Sequence, residues 1–180
     1  LYETLLANTQ DRIDKAKICA TRLVQMIGRG EWHKGVEIGI AGMRYLEMDV
    51  SADPQKISVL LPKQLETFEQ ALTVRPIKQF IELPEMTDAR YLVAMNILPN
   101  LSVCGFIFSQ REFMKYFALL GLNMSLKKGK SDLMAALLAC YAVVNSKEEK
   151  YTQASEFAAE TIKISESYPS CREYANSLNL

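Results

Sequence analysis

Gly129-Lys130-Ser131 ends as a phosphate-binding Walker A loop ends, with a lysine for the outer phosphates and a hydroxyl for magnesium. Such a loop also needs a glycine five residues before Gly129, so that backbone N–H groups can wrap the phosphate. Met124 stands there, and no strand pattern leads into it, so nucleotide binding is not read here. His33 is the single histidine. Zinc ligation or general-base chemistry needs partners beside it, and the nearby Glu31 and Glu37 read as ordinary surface charge. A lone histidine also argues against a phosphoacceptor site in this segment. Cys19, Cys104, Cys140 and Cys171 are scattered. Cys171 is the best placed for a nucleophile, but no histidine lies near it to activate it, and the four read as inert thiols of a reducing compartment. Asn100-Leu101-Ser102 and Asn123-Met124-Ser125 match the glycosylation pattern, in apolar helical stretches without secretory context. No catalytic, cofactor-binding or metal-binding residue is assigned.

What remains is architecture. The stretch from Leu83 to Val144 is the most apolar part of the chain. Phe113, Phe117, Leu120 and Met124 recur at spacings of three and four, which predicts an amphipathic helix with one buried stripe. Leu133 to Val144 is apolar all round, which predicts a helix covered on most sides, with Ala135, Ala136, Ala139 and Ala142 letting neighbours approach. Gly129 suits the C-terminal cap of the first helix and Ser131 the N-cap of the second.

The N-terminal part repeats the pattern. Thr9 is expected to cap a helix whose face carries Ile13, Ala16, Ala20, Leu23 and Ile27. Gly28 and Gly30 end it, and a second helix follows over about 31–47. Gly35, Gly39 and Gly42 in that helix predict close packing against another. Residues 50–82 read as an irregular helical connection, which Pro62 is expected to split, with Pro76 opening a short helix. Thr87 is expected to cap the next helix, kinked or ended near Pro99. Tyr151, Ala154, Ala158 and Ile162 share one face of a later helix, and Pro169 begins a last short one. Alternation never holds for the length of a strand.

Lysine plus arginine balance aspartate plus glutamate at 21 each. No basic face is implied, so nucleic acid is not an expected partner. Lys127, Lys128 and Lys130 form a local cluster that suits a helix C-terminus. The apolar run Leu92–Phe108 is broken by Asn96, Pro99, Asn100 and Ser102, and no membrane span is read. No secretory signal opens the chain, and Leu1 reads as the start of an excised fragment. A cytoplasmic location is expected.

The fold class expected is all-α: antiparallel helical hairpins stacked as a tetratricopeptide-like right-handed solenoid, a first pair over 1–49, the irregular section over 50–82, and an apolar block with C-terminal helices over 83–180. Gly30, Trp32, Gly35, Gly39 and Gly42 fall at turn, large and small positions of that repeat, and Tyr151, Ala154 and Ala158 echo it. Beyond this, LPEMTDARYLVAMNILPNL followed by FMKYFALLGLNMSLKKGKSDLMAALLACYAVV resembles the helical region of large sensor histidine kinases that also carry a kinase-like domain, an AAA-type predictive ATPase and a GAF domain. There a "LPEMTD" segment precedes an apolar helix, and an "NLSL-x-x-G-x-S" segment leads into an alanine-rich one. The counterparts here are Leu83–Asp88 and Asn123–Ser131, with Met124 in place of leucine.

The resemblance implies a non-catalytic linking module between an ATPase region and a sensor kinase, whose partners are other domains of the same polypeptide or a peptide. A dimer is possible for an excised array. The alternative is a ligand- or peptide-sensing domain with an apolar interhelical pocket lined by Met95, Phe106, Phe117 and Tyr141. Trp32, just after a glycine turn, is expected to plug the joint of a helix pair, with an interface role as the alternative.

Overall fold

Three aspartates open helices. The side chains of Asp11, Asp53 and Asp88 accept hydrogen bonds from the backbone N–H groups of Asp14, Gln55 and Arg90, at 2.9, 2.9 and 3.0 Å. Each relieves a donor that the first turn leaves unpaired. Asp11 and Asp88 take the positions expected of Thr9 and Thr87. The structure, a computed structural model, describes residues 2–169. Its helices are α1 (Tyr2–Asn8), α2 (Arg12–Gly28), α3 (Trp32–Tyr45), α4 (Pro54–Val74), α5 (Ala89–Ile107), α6 (Arg111–Lys128), α7 (Met134–Lys147) and α8 (Tyr151–Ser167), with a 3-10 helix at Ile77–Glu82. Among the described residues there is no strand, only an isolated bridge between Glu85 and Lys130. The expected helix after Pro169 and the Cys171 thiol lie outside the described residues.

Three hairpins, α2–α3, α5–α6 and α7–α8, turn in the same way. Each first helix is followed by a left-handed residue: Gly30, Ser109 or Glu149, with φ of 74°, 57° and 61°. The next residue, Glu31, Gln110 or Lys150, donates its backbone N–H to a carbonyl five residues back (Met26, Gly105, Asn145) at 2.8–2.9 Å. That is a Schellman closure. The same residue then caps the second helix without a side-chain hydrogen bond. The same closure ends α3, where Glu47 is left-handed and Met48 donates to Met43 at 3.0 Å; in the three pairs the second helix follows it at once, with almost no loop.

The pairs pack in order. α2 and α3 both meet α5, and α5 and α6 both meet α7. The glycines of α3 serve this contact: a Cβ at Gly39 or Gly42 would lie 2.8 Å from the Leu101 or Ile97 side chain of α5. α5 and α6 approach so closely that a Cβ at Gly105 would stand 2.5 Å from the Met114 backbone nitrogen.

The Pro62 expectation is corrected. Pro62 lies inside α4, which runs unbroken for 21 residues. Proline frees the carbonyl of Ser58 from the helical ladder, but both residues lie on the exposed side of α4, while the helix packs on α6. Pro99 likewise sits inside a continuous α5. There Asn96 and Asn100 donate side-chain N–H groups to the carbonyls of Leu92 and Asn96, both at 3.0 Å. The middle section is therefore a regular helix followed by the 3-10 turn.

The core runs through α5, α6 and α7. Ile97, Leu98, Leu101, Phe117, Leu119, Leu122, Leu137 and Leu138 are fully buried. α7 is covered on most sides, as expected. One side stays open, with Ala136 exposed, Ala139 half-buried and Val143 38% exposed. Only Ala135 and Ala142 of its alanines are buried. α5 is long and apolar enough to cross a bilayer by length and composition, and 56% of it is buried inside the chain.

Candidate functional site

The residues singled out for chemistry fall in separate places. His33 is exposed and stacks on Phe108, ring centroids 4.6 Å apart. Glu31 pairs with Lys34 at 2.6 Å, and Glu37 is exposed. Trp32 opens α3, half-buried against the core. Cys19, Cys104 and Cys140 are free and buried. Burial pushes all three thiols up, Cys104 to about 11, which holds them in the unreactive form. Among the described residues, no group of three His, Cys, Asp or Glu side chains is placed to hold a metal ion.

The expected apolar pocket does not form from its four residues. Met95 and Phe117 are fully buried in the core. Tyr141 is buried edge-on to Phe68 and Phe157, at 5.4 and 5.0 Å between centroids. Phe106 is 48% exposed, on the surface beneath Lys147, whose Nζ is 4.6 Å from its ring. Apolar side chains at helical spacing close on one another before they line a void.

The two motifs of Leu83–Asp88 and Asn123–Ser131 meet. Met86 donates its backbone N–H to the Lys130 carbonyl, and Lys130 donates its own to the Pro84 carbonyl, both at 2.8 Å. Gly129, with φ of 108°, ends α6 beneath Pro84. Lys130 Nζ donates to the Ile81 carbonyl at 2.6 Å and lies 3.6 Å from Glu85, which accepts from the Tyr168 hydroxyl at 2.7 Å. The lysine that would reach a phosphate in a Walker loop is spent on closing this joint. Gly129 does cap α6. Ser131 does not cap α7, which starts at Met134 behind Leu133. Its residue is buried in the joint instead, and its carbonyl accepts from Met134. Asn123 of the second motif is buried too, and its amide donates to the Gln64 backbone and side-chain oxygens, both at 2.9 Å. That contact anchors α4 on α6.

The first helices of the three pairs stand side by side. Between α2 and α5 a groove of about 420 Å³ is lined by Lys17, Thr21 and Val24 on one side and Val93, Asn96 and Asn100 on the other. Val24, Val103 and Val143 expose 53%, 40% and 38% of their surface on α2, α5 and α7.

No protein family, curated protein or solved structure matches this chain. Its site is therefore read from its own residues. The groove offers apolar contact, amide hydrogen-bonding groups and a single lysine. It can hold a peptide or helix by surface complementarity. Periodicity pointed to the faces that pack. It carried no signal for which side of α7 stays open, because alanine and valine satisfy either environment.

Proposed function

We propose that this chain is a non-catalytic helical-repeat scaffold, built of tetratricopeptide-like pairs, whose open face receives a protein or peptide segment. The observation that carries this reading is the repetition of one turn. Gly30-Glu31, Ser109-Gln110 and Glu149-Lys150 close their hairpins with the same left-handed residue and the same backbone bond. Successive pairs then pack through the first helix of the next, as stacked repeats do. α4 and the 3-10 turn are an insertion, laid against α6 and α8. The resemblance of the Leu83–Asp88 and Asn123–Ser131 segments adds a setting. The module joins an ATPase region to a sensor histidine kinase in the cytoplasm, and its nearest partners are other domains of the same polypeptide.

The reading is tested by the coding sequence on either side of this segment. A Walker A motif upstream with histidine-kinase boxes downstream is the expected result. A frame that holds this helical domain and nothing else would overturn the linker assignment.

A further inference from the structure

The groove between α2 and α5 is lined by two asparagines one helical turn apart. Asn96 donates a side-chain N–H to the Leu92 carbonyl, and Asn100 donates one to the Asn96 carbonyl, both at 3.0 Å. Turning either amide over would set its oxygen against a carbonyl, so both orientations are fixed. A side-chain amide has two N–H donors and one carbonyl. Each asparagine is held by one N–H and keeps the other, together with Oδ1, for the groove. Asn96 is exposed, and Asn100 is half-buried with its oxygen still open to solvent.

Their spacing is that of a main chain. Four residues of helix rise about 6.0 Å. Two residues of extended chain rise about 6.4–6.8 Å, and less when the chain is twisted. In an extended segment every second residue turns its N–H and C=O to the same side. Such residues fall opposite Asn96 and Asn100 in turn, each presenting the donor and acceptor that an amide answers. A docked helix answers neither, because its own N–H and C=O groups are paired internally. Covering the two amides with a helix would leave their groups unsatisfied, at about 1–3 kcal/mol each. Charge agrees. Lys17, the charged residue of the lining, pairs with Asp14 at 2.8 Å, so the groove meets its occupant without net charge. Ala20 and Val93 line it from buried positions and give it an apolar floor for small side chains.

We propose that this groove holds an extended, uncharged peptide segment by its main chain, with Asn96 and Asn100 each pairing one of two alternate residues. The segment lies along α5 and places small side chains on the floor between the two asparagines and α2. This rests on the scaffold reading and names the form of its partner.

A random heptapeptide library displayed on phage and panned on the whole chain tests it, with a Thr21→Arg variant as counter-screen. Thr21 is exposed on the α2 wall, so arginine there fills the groove without entering the core. Peptides that bind the native chain about ten-fold or more above the Thr21→Arg variant are groove ligands. Methylating the backbone nitrogens of alternate residues should weaken these ligands about ten-fold or more in one of the two registers, the worth of two main-chain hydrogen bonds. Asn96→Ala/Asn100→Ala should weaken them by a similar factor, with a near-native melting temperature as the check on folding. Where that variant melts early, the methylated peptides decide alone. Groove ligands that bind as helices, that depend on a charged residue, or that tolerate methylation in both registers overturn the main-chain proposal and leave the scaffold reading standing. A library without any groove-dependent binder overturns the groove itself, and the open-face part of the scaffold reading with it.

Discussion

Gly129 sits beneath Pro84 so closely that a Cβ on it would lie 2.4 Å from the Pro84 carbonyl oxygen, at a φ of 108°. The neighbour is backbone, held in turn by the Lys130 N–H, and cannot swing aside as a side chain would. Gly129→Ala should therefore cost about 3 kcal/mol, from strain and displacement of the joint together. Gly28→Ala is the contrast. Nothing lies within 4 Å of its Cβ position, and the change should move stability by less than about 1 kcal/mol. Urea midpoints of the two variants measure the difference, and equal midpoints would mean the joint does not bear on folding.

The repeated turn gives a prediction of opposite sign. Ser109 and Glu149 hold the left-handed conformation that costs a side-chain-bearing residue about 1–2 kcal/mol. Both are exposed. Ser109→Gly and Glu149→Gly should each raise stability by about 0.5–1 kcal/mol, part of the strain being offset by the greater freedom of unfolded glycine. Gly30→Ala, at the matching place in the first hairpin, should lower it by a similar amount. Thermal melts of the three single variants test whether the turns are equivalent. Glu47 is also left-handed, but it pairs with Arg12 and is excluded from the set.

These turns also explain which parts of the fold were legible in the sequence. The helices and the all-α class followed from the spacing of Phe113, Phe117 and Leu120 and of Ile13, Ala16, Ala20 and Leu23, because burial of a stripe imposes a period. The first hairpin turn was marked by Gly30. The other two were not, because serine and glutamate took a conformation that packing of the flanking helices enforces. Pro62 and Pro99 looked like breaks, since the sequence does not show how firmly packing against neighbouring helices holds the rest of α4 and α5. The candidate site was the least legible. Met95, Phe117 and Tyr141 are as apolar as a pocket wall and as apolar as a core, and only the three-dimensional arrangement separates the two. Asn123, which ties α6 to α4 through Gln64, carried no signal beyond its place in a motif.

Close packing and open surface on neighbouring helices predict unequal responses to the same substitution. A Cβ at Gly39 already lies 2.8 Å from the Leu101 side chain and 3.3 Å from Leu23, both fully buried. Gly39→Leu should destabilise by about 1–3 kcal/mol through overpacking. Ala136, at first sight another close-approach position, is exposed, and Ala136→Leu should change stability by less than about 0.5 kcal/mol. Denaturant unfolding of both variants checks this. A large loss at Ala136 would show that the open side of α7 is covered in solution, for example by a second copy.

Lys115 Nζ lies 2.8 and 2.9 Å from the two carboxylate oxygens of Glu148. Lys115 is 8% exposed, so water screens the pair poorly. Burial pushes the Glu148 carboxyl up, but hydrogen bonds from Lys115 and Lys150 outweigh it and hold the group below the usual carboxylate range. A depressed carboxyl stabilises the fold above its unfolded pKa, about 4.3 for glutamate, and that contribution fades as pH falls through the folded value. Glu148→Gln removes the charge and leaves Lys115 buried beside a neutral amide. At pH 7 it should cost about 2 kcal/mol, below the roughly 3–5 kcal/mol for breaking a fully buried pair, because Lys150 and solvent reach Glu148. As pH drops below that of free glutamate, the native carboxyl protonates as well, so the gap between the two proteins should narrow. Urea midpoints of both, followed from neutral pH down through the carboxylate range, should converge. A constant gap across that range would place the cost in packing and not in charge.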